Sequence, residues 1–448
     1  MLTGTRKTVL ASAVALALSA GTTAVTVNHS TPRTPAATTS TASSATAWTA
    51  GWAASPQRAS VSFKPNWSEA GFDNHTVRQV VRVSADGTQA RIRLSNAYGT
   101  SPLLIERATV ARTAKGASVR PGSVRELTFS GSRSASVPAG GQLSSDRAAL
   151  GLRANDQVTV TLHLKATTGP ATFHAQSFTD SYRAKGDHTT DTAASAFTEK
   201  TESWYYLSGV DVTGSKPPAP HSSESGAGHS HDHPRDRSGI VLFGDSITDG
   251  FASTPNADRR YSDALAARLK SLGKQRPVLN SGIGGNLILN DSAWYGERAT
   301  TRFSRDALDL PGVGTVVVLG GLNDIGYRET TTQPTYHPAA DITGRQLING
   351  HQELIRQAHA KGLRVVGATL LPLGGSDHYG KHSAAASDEF NNWVRTSGAF
   401  DAYVDFDKAL ADPADPEHIR PSFDSGDHLH PNDAGYRAMA AALNPNAL

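Results

Sequence analysis

The 448-residue sequence predicts an α/β domain, an open parallel sheet with helices on both faces, preceded by a β-sandwich- or jelly-roll-like domain. Three observations carry that expectation. From Trp48 to about Val212, short runs alternate apolar with polar residues between turn residues, the period-2 signature of half-buried strands. After Gly239, short wholly apolar runs alternate with helical patterns, as parallel strands buried on both faces do. Between the two lies a polar break rich in Pro, Gly, Ser and His, a composition that cannot bury a core.

The elements follow in chain order. Arg6 and Lys7 precede the apolar run Thr8–Ala20, and small residues come after it. This reads as a secretory signal peptide over 1–24, with cleavage after Ala20 or Ala24, so the protein is expected to be secreted. The run is too short for a membrane-spanning helix, which needs about 20 residues, and no other stretch is long and apolar enough. Residues 25–47, rich in Ser, Thr, Ala and Pro, read as an extended tether. In the β domain, 48–213, strands are expected at Val77–Ser84, Gln89–Ser95, Leu103–Val110, Arg125–Phe129, Gln157–Leu164, Ala171–Gln176 and Trp204–Val212. The first two flank Asp86-Gly87, a hairpin signal. Arg91, Arg93 and Ser95 then share one face, with Ile92 and Leu94 on the other.

The break at 214–239 holds His221, His229, His231 and His233. Spaced imidazoles can bind zinc or nickel, but a fixed site needs a rigid scaffold that Gly/Ser/Pro sequence lacks, so the segment reads as a solvated linker. In the last domain, 240–448, parallel strands are expected at Ile240–Phe243, Val278–Leu279, Thr315–Leu319, Leu363–Leu370 and Tyr403–Phe406. Helices are expected at Ser262–Leu272, capped by Ser262, and at Gln346–Ala360.

Composition narrows the chemistry. Cysteine is absent, which excludes disulfides, thiolate metal sites and a cysteine nucleophile. The net charge of +3 conceals a β domain with 18 basic and 13 acidic residues and a C-terminal domain with 19 basic and 24 acidic. No dense Lys/Arg tract exists, so nucleic acid is not an expected partner. The opposite charges favour docking of the two domains on each other.

Open α/β sheets bind ligands beyond the carboxyl ends of their strands, and four segments lie there. Gly244-Asp245-Ser246 follows the first strand, where Ser246 at a helix start would have its own N–H and the helix dipole beside it; an ordinary N-cap is the plainer reading. Asn280 to Asn286 is a Gly-rich turn that lets backbone N–H groups approach a ligand. Gly320-Gly321-Leu322-Asn323-Asp324 offers an Asn amide at a strand end, or else an Asx-turn. Asp427 and His430 stand three apart, so the carboxylate can reach back to the imidazole and fix its tautomer. Asp427, His428 and His430 read as metal ligands form a weaker alternative, since no further ligand cluster supports it.

This ordered set, GDS…G…GxND…DxxH, resembles the SGNH hydrolases, also called GDSL-type esterases and lipases, from Ile240 to Leu448. The long N-terminal β region, WAASPQ near its start and SGDHLHPNDAGYRAMA near the end resemble the XynE-like branch of arylesterases and acylhydrolases. The resemblance implies a flavodoxin-like three-layer αβα fold and carboxylic ester hydrolysis through an acyl-enzyme, without metal or organic cofactor. It implies Ser246 as nucleophile, His430 as general base and Asp427 as its orienting acid. Ser246 N–H, Gly285 N–H and the Asn323 side chain would form the oxyanion hole. Asn286, Trp294, Tyr295, His378 and Tyr379 are candidate contacts to a small-molecule or carbohydrate ester, by stacking on a sugar or aryl group, or else packing residues. A secreted carbohydrate- or cell-wall-binding protein with an inactive hydrolase-like domain, or an acyltransferase acting on sugars, are the alternatives.

Overall fold

The computed structural model describes residues 47–61, 63–214 and 237–448. The predicted signal peptide, nearly all of the tether and the linker with its four histidines lie outside the described residues. Residues 46–448 form one compact unit.

Two large antiparallel sheets dominate the N-terminal region, with two small two-stranded ones beside them. One sets Thr49–Ala53, Leu207–Thr213, Gly87–Ser95 and Ala148–Leu152 side by side, with Gln142–Ser144 also on Gly87–Ser95. The other runs Glu199–Thr201, Ser181–Lys185, His75–Arg82, Gln157–Leu164, Arg107–Lys115, Ser118–Val119, with Arg125–Leu127 joined to Arg107–Lys115. Ile92 and Leu94 from the first sheet and Val77, Val81 and Val160 from the second are buried in one shared core. Arg91 and Arg93 alternate with those residues and turn to the other face, where both bind the buried Asp211 carboxylate, at 2.9 and 3.0 Å. The alternation written in the sequence is therefore the division between sandwich core and outer face.

Three expectations are corrected here. His75–Arg82 and Gly87–Ser95 lie in different sheets, so Asp86-Gly87 is a crossing between sheets and not a hairpin. A two-residue hairpin of type I′ needs positive φ at both central residues; neither Asp86 nor Gly87 has it. Asp86 is held elsewhere, accepting hydrogen bonds from Ala154 N at 2.7 Å and Gln275 Nε2 at 3.0 Å. The expected strand 103–110 divides into Leu103–Ile105, paired with Ala135–Val137, and Arg107–Lys115. The strand expected at 204–212 likewise breaks at Tyr206, whose φ is 58°.

The C-terminal region holds a five-stranded parallel sheet in the order Val278–Gly282, Gly239–Gly244, Val313–Leu319, Arg364–Ala368, Ala402–Val404. Numbered along the chain this is 2-1-3-4-5, the flavodoxin-like order. Crossovers are right-handed, and the chain winds one way from strand one to two and the other way from three to five. Helix Tyr261–Ser271 and helix Gly344–Ala360 therefore cover opposite faces. The strands read as unbroken apolar runs because Val316, Val317, Val318 and Leu319 are all buried. Helix Tyr261–Ser271 is capped at Arg260 and not at Ser262: Asp263 accepts the Arg260 N–H at 3.2 Å. Helices Lys381–Thr396 and Asp433–Ala442 complete the layers.

The two regions share core. Ala50 and Ala53 from the first strand belong to the hydrophobic cluster of the parallel sheet, and Ala50 N donates to Pro311 O at 2.9 Å. Ser84 Oγ donates to Val278 O at 2.8 Å and accepts from Val278 N at 2.9 Å, extending the edge strand of the parallel sheet with a side chain. Ion pairs across the boundary join Arg82 to Asp258 and Asp263, and His174 to Asp249. Each sets a cation of the β region against an acid of the α/β region.

Candidate active site

The sheet order reverses between the first and third strands, and a crevice opens at such a switch point. All four predicted segments border it. Gly244 ends the first strand, and Asp245 caps the short helix Ser246–Asp249 by accepting Ile247 N–H at 3.0 Å. Ser246 is the first residue of that helix. Burial pushes the Asp245 carboxyl up to about 6.

Asp427 and His430 meet as their spacing predicts. Asp427 Oδ1 accepts His430 N–H at 2.8 Å, Leu429 N–H at 3.0 Å and the Ser425 hydroxyl at 3.0 Å. Its Oδ2 lies 2.7 Å from His430 Nδ1. Burial alone would raise this carboxyl, but the hydrogen bonds and the neighbouring imidazole outweigh it and hold Asp427 well below the usual carboxylate range. Because Nδ1 faces a carboxylate it carries the ring proton, which leaves the Nε2 lone pair to accept from Ser246 Oγ, 2.8 Å away. His428 does not join them; it pairs with Asp424 at 2.7 Å. Phe251 covers the His430 ring at 4.4 Å between centroids, and Phe178 of the β region packs edge-on against Phe251.

The Gly-rich turn is built to approach closely. Gly285 has φ 72°, and a Cβ there would come within 2.4 Å of the Tyr295 ring, so no side chain fits. Gly284 N–H is taken by Asp249 Oδ2 at 3.0 Å. Asn323 donates from Nδ2 to Asn286 O at 3.0 Å and accepts at Oδ1 from His378 Nε2 at 3.1 Å. Asp324 takes Ile288 N–H at 2.8 Å and Leu289 N–H at 3.1 Å; burial raises its carboxyl to about 7. Chemically, the cluster can pass a proton from a serine to an imidazole while a backbone N–H and an amide stand beside it.

The expected substrate contacts divide. Asn286 is buried and satisfied, donating to Tyr295 O and Glu297 O and accepting from Arg302 Nε at 2.9 Å. His378 is 1% exposed, between Asp377 and Asn323. Both have their polar atoms committed to the scaffold, bracing the turn and the Asn323 amide. Tyr295 is buried, with its hydroxyl on Thr335. Tyr379 is exposed and donates to Glu417. Trp294 lines a recess of about 320 Å³ with Asn290, Ser292, Asn323, Tyr327 and Tyr336, where the Tyr327 and Tyr336 rings stack at 3.9 Å.

One residue of the site had no sequence signal. Arg302, fully buried on helix Ala299–Phe303, donates to Gly244 O at 2.8 Å, Ser281 O at 2.9 Å, Asn286 Oδ1 and Ser55 Oγ at 3.1 Å, and pairs with Asp306. It ties the strand end before Ser246 to the Gly-rich turn. Burial lowers its pKa, but the guanidinium stays charged at any working pH.

Solved structures similar to this chain include a GDSL-like lipase from Bacteroides thetaiotaomicron VPI-5482, at 17% identity, TM-score 0.34, covering 46% of this chain and 85% of that one. An acetyl xylan esterase from Geobacillus stearothermophilus is similar at 18% identity and TM-score 0.35, covering 46% of this chain and 93% of that one. An α/β hydrolase from the metagenome of Lake Arreo, Spain, matches at 19% identity and TM-score 0.35, covering 46% and 92%. No curated protein matches the chain. Among the described residues no helix is long and apolar enough to cross a membrane. Residues 242–438 match the GDSL-like Lipase/Acylhydrolase family, and this chain accordingly carries a hydrolase domain of the SGNH, or GDSL-type, family of carboxylic ester hydrolases.

Proposed function

We propose that the protein is a secreted serine esterase that hydrolyses short acyl esters of ring-bearing alcohols, aryl or carbohydrate, through an acyl-Ser246 intermediate. The observation that carries this reading is the chain of contacts Ser246 Oγ to His430 Nε2 at 2.8 Å and His430 Nδ1 to Asp427 Oδ2 at 2.7 Å. His430 takes the hydroxyl proton as Oγ attacks the ester carbonyl, and Asp427, ionised throughout, stabilises the imidazolium. His430 then protonates the leaving alcohol. Water, deprotonated by the same histidine, attacks the acyl-serine and releases the acid.

The oxyanion is received by Ser246 N–H, Gly285 N–H and Asn323 Nδ2. Commitment of the Gly284 N–H to Asp249 favours Gly285 as the second donor. The recess beside Asn323 favours a ring on the substrate: about 320 Å³ walled by Trp294, Tyr327 and Tyr336, with Asn290 and Ser292 at hand for hydroxyl groups. The basic residues and apolar run at the N-terminus support export.

Ser246→Ala tests the reading. Turnover of p-nitrophenyl acetate should fall by about 10⁶-fold, as for other serine nucleophiles, and fluorophosphonate labelling should vanish, with the fold intact by circular dichroism. Turnover at the wild-type rate would exclude Ser246 as nucleophile. A panel of acetylated xylan, aryl acetates and long-chain esters then ranks substrates, and a preference for long-chain esters would overturn the ring-bearing class.

A further inference from the structure

We propose that His174, in the β region, is a positioning residue for the oxyanion turn: with Asp249 it forms a buried ion pair that fixes residues 283–286 against the helix that begins at Ser246. The proposal rests on the hydrolase reading above, and adds to it a contribution from outside the family domain, which spans 242–438.

The protonation state follows from geometry. His174 Nδ1 lies 2.9 Å from Ser55 O, and Nε2 lies 3.0 Å from Asp249 Oδ1. A carbonyl only accepts, so Nδ1 donates to Ser55 O; with Asp249 as a carboxylate, which also only accepts, Nε2 donates as well. The ring is an imidazolium, stacked on Trp204 with 5.4 Å between centroids. Both partners are closed off from water, His174 at 4% and Asp249 at 2% exposure. Such a pair is costly to break from one side, because the charge left behind stays buried.

Asp249 ends the short helix that Ser246 begins, and its second oxygen accepts Gly284 N–H at 3.0 Å. One carboxylate thus joins the nucleophile helix, the turn carrying Gly285 and the β region. The β region also presses on the turn directly: a Cβ at Gly284 would meet Gln176 Oε1 at 2.0 Å and the Phe63 ring at 2.9 Å. A shift of this turn by a few tenths of an ångström would misplace the Gly285 N–H, and oxyanion donors are sensitive to such shifts.

The other charges around the pair are accounted for. Arg260, itself bound by Asp263 and near Asp258, opposes a proton on His174. The Tyr436 phenol approaches Asp249 from helix Asp433–Ala442 and is neutral, burial holding its pKa far above the usual range. Burial pulls the His174 pKa down, but the Asp249 charge and the hydrogen bonds to Asp249 and Ser55 O outweigh it, and the net shift is upward. A histidine raised in the fold keeps its contribution below its ordinary pKa and loses it as pH rises through the folded value. Loss of the proton sets a ring lone pair against Ser55 O or Asp249 and leaves an uncompensated carboxylate under the turn. Turnover is therefore expected to decline on the alkaline side.

The test is kcat and KM against pH for p-nitrophenyl acetate with the full chain, its His174→Gln and its Asp249→Asn. His174→Gln should lower kcat by about ten- to a hundredfold, below the full loss of an oxyanion donor, with KM nearly unchanged. Asn at 249 still accepts Gly284 N–H and can donate to a neutral His174. Asp249→Asn should thus lose less kcat than His174→Gln and lose the alkaline decline. A folded His174→Gln with the wild-type kcat and pH profile overturns the proposal. So does an Asp249→Asn that keeps the alkaline limb, which decides the matter if His174→Gln fails to fold. A readout independent of turnover is the ¹⁵N spectrum of labelled histidine: His174 should carry protons on both ring nitrogens at neutral pH, and a singly protonated ring overturns the pair. Absence of any esterase activity in the wild-type chain would count against the hydrolase reading, while the spectrum still decides the pair.

Discussion

The α/β region and the β region contribute to one site by different means. The α/β region presents Ser246, Asn323 and His430 on segments that follow its strands and helices, at the switch between its first and third strands. The β region supplies Ser55, Phe63, His174, Gln176 and Phe178 from its loops and a two-residue strand, and these touch the groups that hold the proposed reacting residues. Sheet topology places reacting groups at strand ends wherever the fold occurs. Bracing groups lie wherever a second region happens to close over the first, and no topological rule fixes them. Substitutions in the first set should nearly abolish turnover, and those in the second should lower it less, through displaced geometry, or act on stability alone.

That division can be broken experimentally, beginning where the effect is largest. Asp427→Asn removes the charge behind His430 and favours the wrong tautomer. It should cost about 10⁴-fold in kcat, with little change in melting temperature. A loss below tenfold would show that the Asp427 carboxylate does not orient the base. Asn323→Ala removes a proposed oxyanion donor and should lower kcat by about 10²–10³-fold with KM nearly constant. A rise in KM alone would assign Asn323 to ground-state binding.

Asp245 belongs to the α/β region yet should act on stability. Its carboxyl is raised to about 6 by burial, and its Oδ2 has no hydrogen-bond partner among the described residues. Unfolded aspartates ionise near pH 4, so between about pH 4 and 6 the native state holds more protons and stability falls as pH rises. Asn at 245 keeps the cap on Ile247 N–H without the charge. Asp245→Asn should gain on the wild type by up to about 3 kcal/mol between pH 4 and 7, read from denaturant melts. A constant difference across that range would mean the wild-type carboxyl ionises normally.

The smallest effect lies in the β region. Ser84→Ala leaves the edge strand amide of Val278 without its side-chain partner and should cost about 1–3 kcal/mol of stability, with kcat unchanged below the melting transition. A drop in kcat without a drop in stability would show that the Ser84–Val278 contact positions the site as well as the sheet edge.

Much of the molecule is legible in its sequence. The parallel strands are apolar runs because both their faces are buried, and the four segments after them are recognisable because each is local: a Gly-Asp-Ser, a Gly-rich turn, an Asn at a strand end, an Asp three before a His. The β region was legible only as alternation. Asp86-Gly87 carried a hairpin signal, yet its backbone crosses between sheets because Asp86 is held by Ala154 and Gln275, partners 68 and 189 residues away. The scaffold hydrogen bonds of Asn286 and His378 are likewise hidden, since residue type and loop position do not reveal that a side chain is already satisfied.

The sequence by itself carried the resemblance to an ester-hydrolase family and named Ser246, Asp427 and His430 as candidates, because each motif is local: a Ser after Gly-Asp, an Asp three before a His. Only the tertiary structure decided what holds them. Arg302 reaches the carbonyls of Gly244 and Ser281, and His174 reaches that of Ser55 and, 75 residues on, the carboxylate of Asp249. A backbone carbonyl accepts a hydrogen bond whatever residue bears it, so bonds of this kind ask nothing of the partner's identity and leave no trace in sequence.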